Sequence, residues 1–363
     1  MPTVRRPIRN RKCMELKHSR DAQRNRKRLL TALVVLSWSY ISLLWLCLAL
    51  RFTFQDKWWW LGFLNSLTPY WFMPLLVVGP FAFLAWKRRL QIASLLSIVA
   101  FLFLFGQLLV PRWDVQTSNG PTITVMTYNL FGGNQDWAAI HETISASEAD
   151  VIAMQELNRE MAEMIRTELA EPYPYQILDF QDSLISRYPV TLTEVTLPDS
   201  WGTPPKVYQL DWNGQKVTLV NAHFYASFLN FDYPFMQWVF REREHQAQLV
   251  TEFAAQVETP LIVTTDFNAT DQSHAYRIMT SQLCDSWREA GWGLGHTFPG
   301  GPSPDLPRPM LTGHPVPMWV VRIDYIFHSD DWEALEARLG VWDRVSDHRP
   351  VIAVLELQED SSD

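Results

Sequence analysis

Eight polar residues supply the chemistry open to this chain: Asn129, Glu156, His223, Asp266, Asn268, Asp324, Asp347 and His348. Each stands at or beside the end of an apolar, β-branched run. Asn129 follows residues 122–128, Gln155-Glu156 follows 150–154, and Asp266-Phe267-Asn268 follows 261–265. Asn221-Ala222-His223 closes a hairpin pattern, Asp324 lies within 323–327, and Asp347-His348 precedes 351–355. Strand ends and the loops that follow them are where a rigid scaffold holds binding and catalytic side chains. Carboxylates and amide oxygens are hard donors suited to Mg2+ or Mn2+ rather than to thiophilic metals. With two imidazoles they match hydrolysis of a phosphoester, whose negative charge repels a nucleophile until a cation screens it and polarises the phosphorus.

Donor type suggests the roles. Glu156 is the leading metal ligand, with Asn129 and Asp347 in support. Asp266 or His348 aims and deprotonates the attacking water, and residue type leaves those two open. Asn268 and His223 can donate hydrogen bonds to phosphoryl oxygens as charge develops there. Asp324, between Ile323 and Tyr325, needs a partner once buried, and orienting the His348 imidazole is the usual task of such a carboxylate. Singly, Asn129 and Asn268 read as turn residues, Glu156 as a helix N-terminal acid, and His223 as a half-buried, satisfied histidine. Their joint order is what suggests a site. His141, His245, His274, His296 and His314 read as surface or loop residues.

These side chains need alternating strands and helices to hold them. Residues 122–128 read as a strand by composition, and so do 150–154, 261–265, 323–327 and 351–355. Residues from 136, and residues 157–169, carry helical spacing. In 207–224, Tyr208, Leu210 and Trp212 alternate with polar residues ahead of Asn213-Gly214, a strong two-residue hairpin signal. The longest helix pattern spans 236–257, with Met236, Phe240, Arg243, Ala247, Val250, Ala254 and Val257 on one face. Residues 291–317 are rich in Gly and Pro, a long loop of the kind that usually serves function.

The ordered blocks resemble the endonuclease/exonuclease/phosphatase superfamily over about residues 121–357. They are Met126-Thr127-Tyr128-Asn129-Leu130, Val151-Ile152-Ala153-Met154-Gln155-Glu156, Ser183-Leu184-Ile185-Ser186-Arg187-Tyr188-Pro189 and Asn221-Ala222-His223. Thr265-Asp266-Phe267-Asn268, Arg322-Ile323-Asp324-Tyr325-Ile326 and Ser346-Asp347-His348-Arg349-Pro350 complete the set. The resemblance implies a four-layered α/β sandwich, two packed mixed sheets flanked by helices with the site at one end. It implies Glu156 on Mg2+, Asp266 and Asn268 around nucleophile and phosphoryl group, and an Asp324–His348 pair. Arg187 supports the site at most, as a substrate-binding residue. Thr265 stands where the family usually has Gly, which would add a side chain near the site and narrow it. Leu130-Phe131 after Asn129 lacks the acid of apurinic endonucleases and speaks against DNA repair.

The charge of the chain is partitioned. Residues 1–28 hold eleven Lys/Arg against Glu15 and Asp21, whereas residues 112–363 hold 15 Lys/Arg against 36 Asp/Glu. Between them lie three apolar runs at about 29–50, 68–86 and 90–110, long enough for transmembrane helices. The first exceeds a signal-peptide core of about 7–15 residues and is followed by two more, which argues against a cleaved leader. The basic head 1–28 and Lys87-Arg88-Arg89 favour the cytoplasm, so three spans put the linker 111–121, the domain 122–358 and the acidic tail 359–363 outside it. Trp58-Trp59-Trp60 is placed like an interfacial aromatic belt. Cys13, Cys47 and Cys284 lie in separate regions, so no intradomain disulfide forms and the redox compartment is left open.

The expected partners are the bilayer, through the N-terminal helices, and a phosphoester; no protein partner is inferable. An acidic domain argues against long contacts with a nucleic-acid backbone. The stretch after His223 is aromatic, with Phe224, Tyr225, Phe228, Phe231, Tyr233, Phe235, Trp238 and Phe240. Trp238 and Phe240 are expected to pack the helix on a sheet. The others, Tyr225 first, could stack bases or enter a membrane interface. The leading function is a membrane-anchored, metal-dependent phosphodiesterase. The alternatives are a nuclease on DNA or RNA and a catalytically silent interaction domain.

Overall fold

The computed structural model describes residues 9–110, 120–179, 181–198, 201–227, 232–301, 308–311 and 313–358. Most of the linker and the acidic tail, with Phe228 and Phe231, lie outside the described residues. The chain falls into two compact units, one of Met1–Thr53 with Pro69–Phe105 and one of Phe54–Thr68 with Gly106–Asp363.

The first unit is helical. Helix α1 (Arg9–Phe54) runs on from the basic head without a break. After α2 (Trp59–Ser66), which belongs to the second unit, come α3 (Thr68–Trp71), α4 (Leu75–Leu84) and α5 (Arg88–Leu109). Among the described residues two helices are long and apolar enough to cross a membrane, Arg20–Phe54 and Arg88–Leu109. The pair Trp59–Ser66 and Thr68–Leu84 is bent by 71° and makes a third only if it counts as one span. The middle run is therefore interrupted. Pro74 is the N-cap of α4 and Pro80 lies inside it, and proline removes a backbone donor wherever it stands.

The second unit carries two six-stranded sheets. Its strands and helices are β1 (Thr122–Asn129), α6 (Trp137–Ser147), β2 (Val151–Leu157), α7 (Arg159–Glu168), β3 (Tyr175–Ile177), β4 (Gln181–Ser186) and β5 (Val190–Leu192). They continue with β6 (Lys206–Trp212), β7 (Gln215–His223), α8 (Tyr233–Ala254), β8 (Leu261–Asp266), α9 (His274–Met279), β9 (Cys284–Asp285) and α10 (Ser286–Ala290). Last are β10 (Met310–Leu311), β11 (His314–Pro315), β12 (Asp324–His328), β13 (Trp332–Leu339) and β14 (Val351–Leu357). The sheet orders are β13-β14-β1-β2-β4-β3 and β5-β6-β7-β8-β12-β9, with β10-β11 a separate ribbon. Each large sheet has one parallel pair at its centre, β1 with β2 and β7 with β8, and antiparallel partners elsewhere. This is the expected α/β sandwich of two mixed sheets flanked by helices.

Local signals explain the elements. Asp136, Asn158, Asp232 and Ser273 each cap a helix by accepting a backbone N–H. Asn213 and Gly214 both take positive φ, 54° and 88°, in the β6–β7 turn. One core joins Met126, Ile152, Met154 and Ile352 to Ile140, Ile144, Met161 and Ile165 of α6 and α7. Another joins Val220, Ala222, Val263, Tyr325 and Phe327 to Ala247 and Val250 of α8 and Tyr276 of α9. These contacts fix the pleat. Side chains alternate across a strand, so the opposite set faces between the sheets: Thr127, Asn129, Gln155, Asn221, His223, Thr264, Asp266 and Asp324.

Candidate active site

The parallel pairs end together. Asn129 and Gln155-Glu156 finish β1 and β2, and His223 and Asp266 finish β7 and β8 in register. Asp324 opens the antiparallel β12 directly opposite Asp266. His348 comes three residues before β14, whose first residue pairs with Thr127. Polar bonds tie the two sheets below this mouth. Gln155 Nε2 donates to Asn221 Oδ1 at 2.7 Å, and Asn221 Nδ2 donates to the carbonyls of Met154 and Ser183.

Asp266 is the centre. Its Oδ2 accepts from Asn129 Nδ2 at 2.8 Å and lies 3.5 Å from His223 Nε2 and 3.7 Å from His348 Nε2. Its Oδ1 accepts the backbone N–H of Asn268 at 3.0 Å. Glu156 Oε1 lies 3.9 Å from His223 Nε2 and accepts the second Asn129 N–H at 3.0 Å. Asp324 holds His348 Nδ1 at 2.9 and 3.1 Å, which leaves Nε2 facing Asp266. A loop braces that pair. Thr297 Oγ1 accepts the backbone N–H groups of Ile323 and Asp324, and the Phe298 ring lies 5.0 Å from the His348 ring.

Burial and charge set the proton affinities. Burial pushes the Asp266 carboxyl up; the nearby His348 and His223 pull against it, and Asp324 adds to the rise. Burial alone would lower His348, but Asp324, Asp266 and Asp347 outweigh it and hold the imidazole well above its usual value. Burial also raises Asp347, with His348 opposing and Glu156 adding to the rise. A divalent cation fits this setting. Glu156, His223 and Asp266 present ligand atoms within 4.8 Å of one another, and so do Asp266, Asp324 and His348. The carboxylate oxygens of Glu156 and Asp266 are donors a hard ion takes, whereas imidazole suits softer ions such as Zn2+. Glu156 also adopts positive φ, 57°, where β2 and β4 lose register, so the backbone departs from the pleat to bring this carboxylate to the mouth.

Of the sequence-derived site residues, Asn129, Glu156, His223, Asp266, Asn268, Asp324, Asp347 and His348 converge here. Asn129 presents its N–H2 to the carboxylates, while its Oδ1 accepts the Phe131 N–H at 2.9 Å, so it spaces Glu156 from Asp266. Asn268 Nδ2 donates to the Phe224 carbonyl, leaving one amide hydrogen for a ligand.

Arg187 is not brought to the site. It follows β4 at the Asp150 end, pairs with Asp150 at 3.3 Å and covers the Tyr173 ring. Five residues of extended strand separate that end from Glu156, roughly 15–20 Å. Thr265 does not narrow the site either. It alternates with Thr264 and Asp266 and so faces the helices, whereas Thr264 Oγ1 donates to Asn221 Oδ1 of the neighbouring strand on the face between the sheets. Trp238 is 44% exposed rather than core and packs on Tyr225, while Phe240 is buried as expected.

One buried acid escaped the sequence reading. Asp182 lies in β4 opposite the β2 irregularity, fully buried, and neither carboxylate oxygen has a hydrogen-bond partner among the described residues. Burial raises it to about 7, with His223 and Lys206 opposing and Asp179 and Asp266 adding to the rise. Lys206, at the same end of β6, pairs with Asp179 at 2.8 Å. A carboxylate among strand residues carries no sequence mark of which face it takes, so only the pleat parity could have found it.

The endonuclease/exonuclease/phosphatase family model matches residues 126–348. No curated protein matches. Among solved structures, an endonuclease/exonuclease/phosphatase family protein from Bacteroides thetaiotaomicron is similar at 18% identity over 66% of this chain and 100% of its own, TM-score 0.49. D. rerio TDP2, complexed with a single-strand DNA product, is similar at 16% identity over 65% and 99%, TM-score 0.49. A mannosyl-6-phosphatase from Bacteroides thetaiotaomicron is similar at 19% over 64% and 99%, TM-score 0.44. With the family model covering more than half of the chain and every residue that meets at the common end of the sheets, the chain belongs to the endonuclease/exonuclease/phosphatase family.

Proposed function

We propose that this protein is a membrane-anchored, divalent-metal-dependent phosphoester hydrolase of the phosphodiesterase type. The observation that carries the reading is the meeting of His223, His348 and Asn129 on one oxygen of Asp266, with Glu156 alongside. Mg2+, with Mn2+ as substitute, would be held by Glu156 with Asp347 beside it, and would screen the phosphate charge and polarise phosphorus. Asp266 takes the proton of the attacking water, because burial makes its carboxyl a stronger base than usual. His348, kept protonated by Asp324, donates through Nε2 to a phosphoryl oxygen as charge grows. His223 and the remaining Asn268 N–H serve the other phosphoryl oxygens. Water attack at phosphorus breaks the ester P–O bond, and the proton ends on the leaving oxygen.

Three crossings, the middle one broken, would put the basic N-terminus in the cytoplasm and the catalytic unit on the opposite side. The test uses the full chain in detergent with bis(p-nitrophenyl) phosphate and Mg2+. EDTA, Glu156→Gln and His348→Ala should each lower the rate about 10²–10⁴-fold, and an unchanged rate in any of them refutes the reading. A C-terminal reporter active only in the cytoplasm would refute the topology.

A further inference from the structure

The segment between the first two apolar runs is built into the catalytic unit. Asp56 is buried; its Oδ2 accepts the backbone N–H of His274 at 2.6 Å, and its Oδ1 accepts from Asn65 at 2.7 Å. Gln237 of α8 clasps the segment from both sides, accepting from the Trp59 N–H and donating to the Lys57 carbonyl, each at 3.1 Å. Gly62 is pressed so closely on Phe240 that an added Cβ would sit 2.4 Å from the ring. A loop held by buried polar bonds and a glycine-only contact is a fixed part of the surface it covers.

That clamp assembles an aromatic face leading to the active site. Tyr225, two residues beyond His223, packs on Trp238 at 4.8 Å, and Trp238 meets Phe235 at 6.1 Å. In the same first turns of α8, Tyr233 meets Trp59 at 6.3 Å. Trp60 stacks on Trp58 at 5.9 Å, and Trp58 meets Phe54 at 5.2 Å. Tyr233 is 54% exposed, Trp238 44%, Trp60 39% and Phe54 38%. Phe54 is the last residue of a helix long and apolar enough to cross a membrane, so the face begins where the chain would leave the bilayer. Trp and Tyr settle at headgroup depth because a ring with one polar edge suits that boundary. Stacked bases are the competing occupant, but they come with a phosphate backbone that needs Lys/Arg neighbours. The stretches that form this face, 54–60 and 225–238, hold one basic residue, Lys57, against Asp56 and Asp232, and the body of the domain is acidic.

We propose that this aromatic face sits in the membrane interface and delivers to the site a phosphoester carried by a membrane lipid, whose apolar chains stay in the bilayer. The proposal rests on the phosphoester-hydrolase reading and names its substrate class.

The test uses the full chain reconstituted in vesicles of phosphatidylcholine, phosphatidylethanolamine and phosphatidylglycerol, with lipid cleavage read by phosphorus NMR. Bis(p-nitrophenyl) phosphate is the soluble comparison. Wild type should cleave a vesicle lipid. The double variant Trp60→Ser, Tyr233→Ser should lose at least tenfold on vesicles while keeping its rate on the soluble diester. A photoreactive benzophenone side chain at Tyr233 should crosslink to lipid, and one at the exposed edge residue Tyr175 should not. Soluble turnover without lipid cleavage, equal vesicle rates for variant and wild type, or no crosslink at Tyr233 overturns the proposal. Single-stranded DNA cleaved in place of lipid, and slowed by the same double variant, overturns it in favour of base stacking. Wild type inert on the soluble diester with Mg2+ overturns the hydrolase reading and this proposal with it, and the crosslink separates the two failures.

Discussion

Asp182→Asn should make the catalytic unit more stable, increasingly so as pH rises. The Asp182 carboxyl is raised from 3.8 to about 7 because it is buried without a hydrogen-bond partner among the described residues. A carboxyl whose folded value lies above its unfolded value binds its proton more tightly when folded. The stability it contributes is present in full below about 3.8 and lost as pH rises through about 7. A shift of about three units corresponds to a loss of about 4 kcal/mol by pH 8, of which roughly 2–3 kcal/mol falls between pH 5 and pH 8. An uncharged amide of the same shape has no such proton to lose. The variant-minus-wild-type difference should therefore grow by roughly that amount over the same interval. Hydrogen exchange of the β7 and β8 amides reads the opening free energy of this unit in the detergent-solubilised full chain, with EDTA present to remove divalent ions. Taking the difference at each pH cancels the other titrating groups. A difference that stays constant from pH 5 to pH 8 would falsify the claim that Asp182 is buried protonated.

Other perturbations reach different parts of the argument. Asp324→Asn removes the largest influence raising His348, so the imidazole should titrate at lower pH, seen in its ring nitrogen shifts by NMR; an unmoved titration contradicts the pairing. The raised His348 value also contributes stability below about 6.5 that is lost as pH climbs through the folded value, and the same variant should flatten that slope. Gly62→Ala forces a methyl against the buried Phe240 ring and should cost about 1–3 kcal/mol of local stability. Faster exchange of amides 59–66 would report it, and wild-type protection there would show that the segment is not clamped. Arg187→Ala should leave turnover of bis(p-nitrophenyl) phosphate unchanged while lowering the melting temperature slightly, since its partners are Asp150 and Tyr173; a large loss of kcat would return Arg187 to the site.

How much of this was legible in the chain depends on whether a local pattern carried the information. The buried strands announced themselves as apolar runs, and the strand-end acids, amides and imidazoles stood in order along the sequence, so the fold class, and which of these residues gather at the common end of the sheets, could be read directly. The geometry of Glu156 could not, because a positive φ at a loss of register depends on how β4 pairs with β2 and on no residue near Glu156 alone. Strand β13 was hidden for a similar reason: Trp332-Glu333-Ala334-Leu335-Glu336-Ala337-Arg338-Leu339 is rich in helix formers, yet it pairs along β14 as the edge of its sheet, with an irregularity at Ala334 and Glu336. Tertiary pairing outweighed propensity there. Arg187 misled because a charged residue inside a family-like block says nothing about which end of the strand it occupies. Asp56 carried no local mark of its burial: the His274 N–H at the start of α9 and Asn65 supply the donors that make it possible, and neither lies beside it in the chain. In each case the missing information was a long-range contact, and such contacts set the dihedral, register and burial of residues whose chemistry the sequence had already displayed.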